Sequence, residues 1–470
     1  MSTPAAIPAA ERASDEITSG KPESIQQQHS HQRSFTSDSE KIGINQNPFA
    51  TPAQSTPNHS TNPSTVNLRN GNGAPAYFRS RRIKKEQIEK PWLTSGKDKK
   101  QKWQTLIPLL GLIIGFCIAG YLVYDGYSSV PQHEYCVVLD DDFSSGLNEA
   151  VWTKEAEVGG FGNGQFEQTT ITDENVRITD GMLTITPSLQ DEKLITTNNI
   201  INLTADGICS SDLWNNCVAS TNTTNGTIIP PTKSGRLNTK KGATIKYGRI
   251  EVVAKMPKGD WLWPAIWMLP VENTYGDWPL SGEIDIAESR GNNHTYKLGG
   301  NNVMSSTLHW GPDLSDDAWW RTYGKQDALM TTFADTFHTF GLEWSEKYLY
   351  MYLDSRLLQV MYNKFSEPLW KRGAFPLADQ NGTSYVDPWT QTGRPSTPFD
   401  QDFYLILNVA VGGTNGWFQD GIAGKPWVDG SPTAPMDFWK ARDTWKPTWT
   451  DPSMQVKSVK MWQQKGYNNC

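Results

Sequence analysis

The 470-residue sequence has only five cysteines and seven histidines, and nowhere a C-x-x-C pattern. Without a His/Cys cluster at ligand spacing it offers no zinc site, and no metal is assigned. No segment repeats at a period of about 20–50 residues, which disfavours a propeller. Sustained helical periodicity is missing outside one apolar segment, which excludes a helical bundle. Residues 1 to about 78 lack any run able to bury a core and are rich in Ser, Thr, Pro, Asn and Gln, so they read as disordered.

What is present begins with charge. Between Arg79 and Lys102 ten basic residues face three acids, a local charge of +7 in a chain whose net charge is −7. Such a block could hold nucleic acid, but the segment behind it gives a simpler account, and no nucleic-acid partner is assigned. Thr105 to Tyr124 runs twenty residues without a charge. At about 1.5 Å per residue it spans a bilayer core of about 30 Å, with Trp103, Tyr121 and Tyr124 near its ends as interfacial aromatics. It starts too far along the sequence for an ordinary cleaved signal peptide and reads as a signal anchor. Positive charge on its N-terminal flank predicts a cytosolic tail (1–104), a membrane span (105–124), a stem (125–135) and a lumenal or extracellular domain (136–470).

On that topology Cys117 lies in the membrane, and Cys136, Cys209, Cys217 and Cys470 lie where disulfides persist. Three pairings are open. The preferred one joins Cys209 to Cys217 across a short loop and Cys136 to Cys470 across the domain. N-x-S/T sites at Asn202, Asn222, Asn225, Asn293 and Asn381 suggest a glycoprotein, whereas Asn58 would be cytosolic and bare. Asn47-Pro48-Phe49 in the tail resembles the tripeptide read by endocytic adaptors. Asp140, Asp141 and Asp142 fit a structural calcium site and, more simply, an acidic loop facing water.

After residue 130 short alternating segments with Gly, Pro and Asn punctuation recur, which predicts an all-β sandwich or barrel, with a two-sheet jelly roll offering one concave face as a groove. Eighteen of the twenty tryptophans lie after residue 150, enough for a large β core and for a groove that stacks on sugars. Trp267 is expected to be mostly buried and Trp263 nearer the ligand. The stretch Ser281-Gly282-Glu283-Ile284-Asp285-Ile286-Ala287-Glu288-Ser289-Arg290-Gly291-Asn292 carries the chemistry. Alternation puts Glu283 and Asp285 on one strand face. Glu288 joins them only if a β-bulge adds one residue near Ile286 and Ala287. Three carboxylates on one face repel one another, a cost usually kept where function uses it.

Together with GGFGNGQFE, SGRLNTK, YGRIEVVAKMP, WPAIWMLP, STLHWG, FGLEW and LILNVAVGG in the same order, this stretch resembles glycoside hydrolase family 16, in the laminarinase-like branch active on β-1,3-glucan. The resemblance runs from about Cys136 to Gln463 and implies a concanavalin-like β jelly roll; the topology suggests a fungal type II membrane-anchored member. It implies that Glu283 is the nucleophile, Glu288 the acid/base and Asp285 the residue between them, with His309 supporting the carboxylates. A retaining pair needs its carboxyls about 5–5.5 Å apart. It further implies that Asn163, Arg236, Trp263, Trp267 and Asn408 line the sugar groove, that β-glucan is the partner and that no cofactor is needed. The loop departs from the common pattern, because Gly164-Gln165-Phe166 intervenes before Glu167, so no sugar contact is assigned to Glu167. Two other functions fit the same strands: a wall-glucan transglycosylase linked to β-1,6-glucan assembly, and a non-catalytic β-glucan receptor.

Overall fold

The computed structural model describes residues 83–94, 96, 100–129 and 133–470. Asn47-Pro48-Phe49, Asn58 and most of the expected tail lie outside the described residues. The chain divides into two units, Met1–Lys99 and Lys100–Cys470. Among its described residues the first has a 3-10 turn, Lys85–Gln87, and a short helix, α1 (Pro91–Thr94). The second opens with α2 (Gln101–Ser129), which contains Pro108 and free Cys117. Within it Lys102–Ser128 is long and apolar enough to cross a membrane by length and composition. The helix outruns the expected 105–124 at both ends, because backbone hydrogen bonding continues through flanking polar residues after the apolar run stops.

The rest of the second unit is a β sandwich of two eight-stranded sheets. In chain order the strands of one sheet are β1 (Thr153–Lys154), β2 (Arg236–Asn238), β3 (Thr244–Ile245), β4 (Leu262–Pro270), β5 (Glu283–Ser289), β6 (Val303–His309), β7 (Tyr323–Asp327) and β8 (Phe403–Val411). Across the sheet they run β7-β6-β5-β4-β8-β2-β1, with β3 also on β8. The second sheet includes Gly248–Lys255, His338–Trp344, Tyr348–Leu353 and Met454–Gln464, with the opening strand Tyr135–Asp141 on the last of these. Its Val176–Thr179 and Met182–Ile185 form the hairpin expected at Asp180-Gly181, where both residues take the positive φ that such a turn requires.

Period-2 alternation builds the core between the sheets. In β4, Leu262, Ile266 and Met268 point inward and are fully buried. They join Ile284, Leu308, Leu405 and Leu407 from the same sheet and Ile250, Val252, Leu342 and Met351 from the other in one cluster. Trp344 meets Phe403 edge to face across the sandwich. Trp263, Ala265 and Trp267 of β4 therefore share the opposite face, and that face carries the site.

Both expected disulfides form: Cys136–Cys470, with a sequence separation of 334, and Cys209–Cys217, with one of 8. The second closes part of the 188–232 excursion, whose own strand pair is Asn199–Asn202 with Val218–Thr221. Asn222, Asn225, Asn293 and Asn381 are exposed and Asn202 is half-buried. The three aspartates near the first strand do not gather around one point. Asp140 pairs with Lys460, Asp141 accepts from Phe143 N and Trp152 Nε1, and Asp142 accepts from Ser144, so each carboxylate satisfies a separate local demand.

Candidate active site

The acidic strand β5 is irregular where its spacing demands. Against β4, Ala287 lies opposite Ile266 and Asp285 opposite Trp267, which leaves Ile286 without a counterpart. On the other side the register with β6 shifts between Asp285 and Glu288. The bulged carbonyl of Ile286 is satisfied by the Ser306 hydroxyl at 2.7 Å. Ile286 and Ala287 both turn into the core, and the one-residue phase change brings Glu288 onto the face of Glu283 and Asp285.

Register then aligns rows across the sheet, because directly opposed residues project the same way. One row runs Arg236, Asn408, Ala265, Glu288 and Ser305; the next passes through Trp267, Asp285, Thr307 and Tyr323; Glu283 faces His309 in a third. Glu288 accepts a hydrogen bond from Trp263 Nε1 at 2.9 Å, and Glu283 accepts one from Trp278 Nε1 at 2.7 Å. His309 bridges two acids, with Nε2 3.2 Å from Asp285 and Nδ1 2.5 Å from Asp317.

These contacts set the charges. Burial first and Asp285 second push the Glu288 carboxyl up to about 8, against the opposing pull of His309, Trp263 and Arg290. Burial and then Asp285 raise Glu283 well above the usual carboxylate range, against the pull of His309. Burial disfavours charge on His309, yet its bonds to Asp285 and Asp317 outweigh that and raise it well above an ordinary imidazole. Among the described residues, Glu283, Asp285 and His309 have ligand atoms close enough to hold a cation, all within 4.8 Å of one another.

The sequence-predicted sugar residues divide. Trp267, expected to be mostly buried, is the more open of the two β4 tryptophans, whereas Trp263 is buried while bonding Glu288. Both share one face, and Trp263 is covered because Trp417 stacks on it with ring centroids 4.8 Å apart. Trp417 is in turn held under the Arg290 guanidinium, 3.8 Å from its ring centre. Asn408 is buried and accepts from Trp267 Nε1 at 2.7 Å. Arg236 pairs with Glu155 at 2.7 Å and lies against the rings of Phe161 and Trp267, so it braces the face while its charge is already answered. Asn163, half-buried, ties its loop to the turn after β8: its carbonyl accepts from Thr414 N and its side-chain oxygen from Asn415 Nδ2. Glu167 is buried and accepts from Val411 N, where burial raises its carboxyl to about 8, so it serves the interior.

Three contributors escape sequence reasoning. Trp278 and Trp417 lie in irregular loops, and their only signal is a tryptophan in polar, Gly- or Pro-punctuated surroundings. Asp317 follows His309 by eight residues and carries no signal that separates it from Asp313 and Asp316.

The fold and site define a two-sheet jelly roll whose bulged strand presents carboxylates beside tryptophans on its outer face. Residues 184–386 match the family "Glycosyl hydrolases family 16". A β-1,3-glucan-binding protein of Penaeus monodon is 40% identical over 346 residues, which cover 70% of this chain and 91% of that protein. The chain belongs to glycosyl hydrolase family 16. A glucan endo-1,3-beta-glucosidase of Cryptopygus antarcticus is 39% identical over 182 residues, 38% of this chain and 55% of its own length. The solved laminarinase from Rhodothermus marinus aligns over 71% of this chain and 99% of its own, at 26% identity and a TM-score of 0.44.

Proposed function

We propose that the protein is a retaining β-glucan hydrolase acting on β-1,3-glucan of a cell wall. The observation that carries this reading is the bulge at Ile286, which sets Glu288 on the same face as Glu283 and Asp285. Ionised Glu283 attacks the anomeric carbon while protonated Glu288 gives its proton to the departing glycosidic oxygen. Glu288, now a base, takes a proton from water or from an acceptor sugar, and the new oxygen displaces Glu283. Asp285 and the His309 imidazolium hold Glu283 in place between them, and Asp317 fixes the imidazole. α2 anchors the enzyme in a bilayer, with the basic flank in the cytosol and the sandwich outside it.

The active form holds one proton for the Glu283–Glu288 pair, which titrates in two coupled steps. As pH rises through about 8, Glu288 loses the proton it must donate, and activity falls. As pH falls, Glu283 takes up a proton, and because its carboxyl is raised this acid limb begins above the usual carboxylate range. The expected profile of kcat/KM against pH is a bell whose alkaline limb lies near pH 8. A rate flat to about pH 10 removes Glu288 from the acid role.

A second reading has one observation behind it: the Penaeus relative is named for binding, so this sandwich could hold glucan without cleaving it. The test is to incubate the full chain in detergent with defined β-1,3-, β-1,6- and mixed-linkage oligosaccharides and size the products. Shorter products mean hydrolysis and longer ones mean transfer. Binding with no product from any of them sinks the enzymatic reading.

A further inference from the structure

Trp263, Trp267, Arg236 and Asn408 lie on the β4, β8 and β2 side of the acids. On the other side, across β6, the floor continues onto β7. Tyr323 stands opposite Thr307, which stands opposite Asp285, so all three project from the same face. Two strand spacings, about 10 Å, separate Tyr323 from Asp285. The Tyr323 hydroxyl is raised by burial and feels both Arg290 and Glu288, which places it within the electrostatic reach of the acids. Just before β7, Trp319 meets Tyr323 edge to face with ring centroids 5.8 Å apart. These two aromatics, on the edge strand and in the turn before it, are 43% and 45% exposed among the described residues.

We infer that Trp319 and Tyr323 form a stacking platform for a second glucan segment, the one on the β7 side of the bond being cleaved. The occupant follows from continuity: Tyr323 extends the sheet face in the row of Asp285 and Trp267, and Trp319 packs against it from the turn before β7. Flat aromatic faces with little charge suit pyranose rings, which present apolar C–H faces for stacking. The platform rests on the glucan-active reading, and it bears on the outcome, since a sugar held there stands where an acceptor must stand to intercept the glycosyl intermediate.

The test uses full-length protein carrying Glu283→Gln, so that binding is measured without turnover, titrated calorimetrically with β-1,3-linked glucose oligosaccharides of increasing length. Adding Trp319→Ala and Tyr323→Ala is expected to weaken binding of long oligosaccharides by about tenfold or more, while the shortest ligands that bind lose less. Tyr323→Phe, which keeps the ring, is expected to retain affinity. Trp320→Ala supplies a control, because that ring packs on the Arg321 guanidinium 4.2 Å away. Unchanged affinity for long oligosaccharides in the double variant overturns the platform, and is also the result expected if the surface serves a protein or a bilayer instead. Loss in Tyr323→Phe equal to that in the alanine variant overturns stacking as its basis. Should the double variant fold poorly, Trp319→Ala alone gives the readout. A wild-type protein that binds oligosaccharides but yields no product defeats the catalytic reading and leaves the platform standing.

Discussion

Glu283→Gln is expected to lower the rate of β-1,3-glucan cleavage by a factor on the order of 10^4 or more, with little change in glucan affinity. The amide is nearly isosteric and keeps an oxygen for the Trp278 indole, which donates to Glu283 at 2.7 Å, so the local packing survives. What is lost is the electron pair that forms the glycosyl–enzyme bond, and loss of a covalent nucleophile removes most of the catalytic advantage. The substitution also removes one negative charge from a face that holds Asp285 and Glu288 as well, so thermal stability should hold or rise. Rate and stability should therefore move in different directions, which distinguishes a nucleophile from a structural acid. Reducing-sugar release and a melting curve on the same preparation give both quantities. A variant that cleaves at the wild-type rate ends the assignment of Glu283.

Replacing Cys136 and Cys470 together by alanine is expected to cost about 4–5 kcal/mol of stability, against about 2–3 for Cys209 with Cys217. The ranking follows from separations of 334 and 8 residues, since the longer closure removes more freedom from the unfolded chain. Thermal unfolding followed by near-ultraviolet circular dichroism measures both, and for a domain of this size the longer bridge should shift Tm by about 6–7 °C. Equal shifts for the two pairs would mean that loop closure does not dominate and that strain or residual structure in the unfolded state does.

Much of this organisation is legible because alternation is a strong signal where one strand face is buried. The spacing of Glu283, Asp285 and Glu288 demands an extra residue, and the unpaired Ile286 supplies it. Legibility fails where contacts are long-range. The two β4 tryptophans are indistinguishable by period, and only Trp417, about 150 residues later in the chain, decides which is covered. Strand β7, with sequence Tyr-Gly-Lys-Gln-Asp, gives no clear signal because an edge strand with one partner needs little apolar content, and so its tyrosine does not stand out as belonging to the floor. Arg236 and Asn408 are legible as residues of the correct face, but sequence does not tell that Glu155 and Trp267 already occupy their polar groups.

The Cys136–Cys470 bridge also sets how the sandwich bears tension. A pull transmitted along the chain from α2 enters the domain at Tyr135 and meets a covalent cross-link one residue later. The strand pairs behind that point, Tyr135–Asp141 against Met454–Gln464, are antiparallel and would otherwise unzip bond by bond from the loaded end. With the bridge in place Cys470 shares the load covalently at that end, so Tyr135–Asp141 cannot begin to peel from Met454–Gln464 there. On the proposed anchoring by α2, the domain would resist peeling from the end at which its tether pulls.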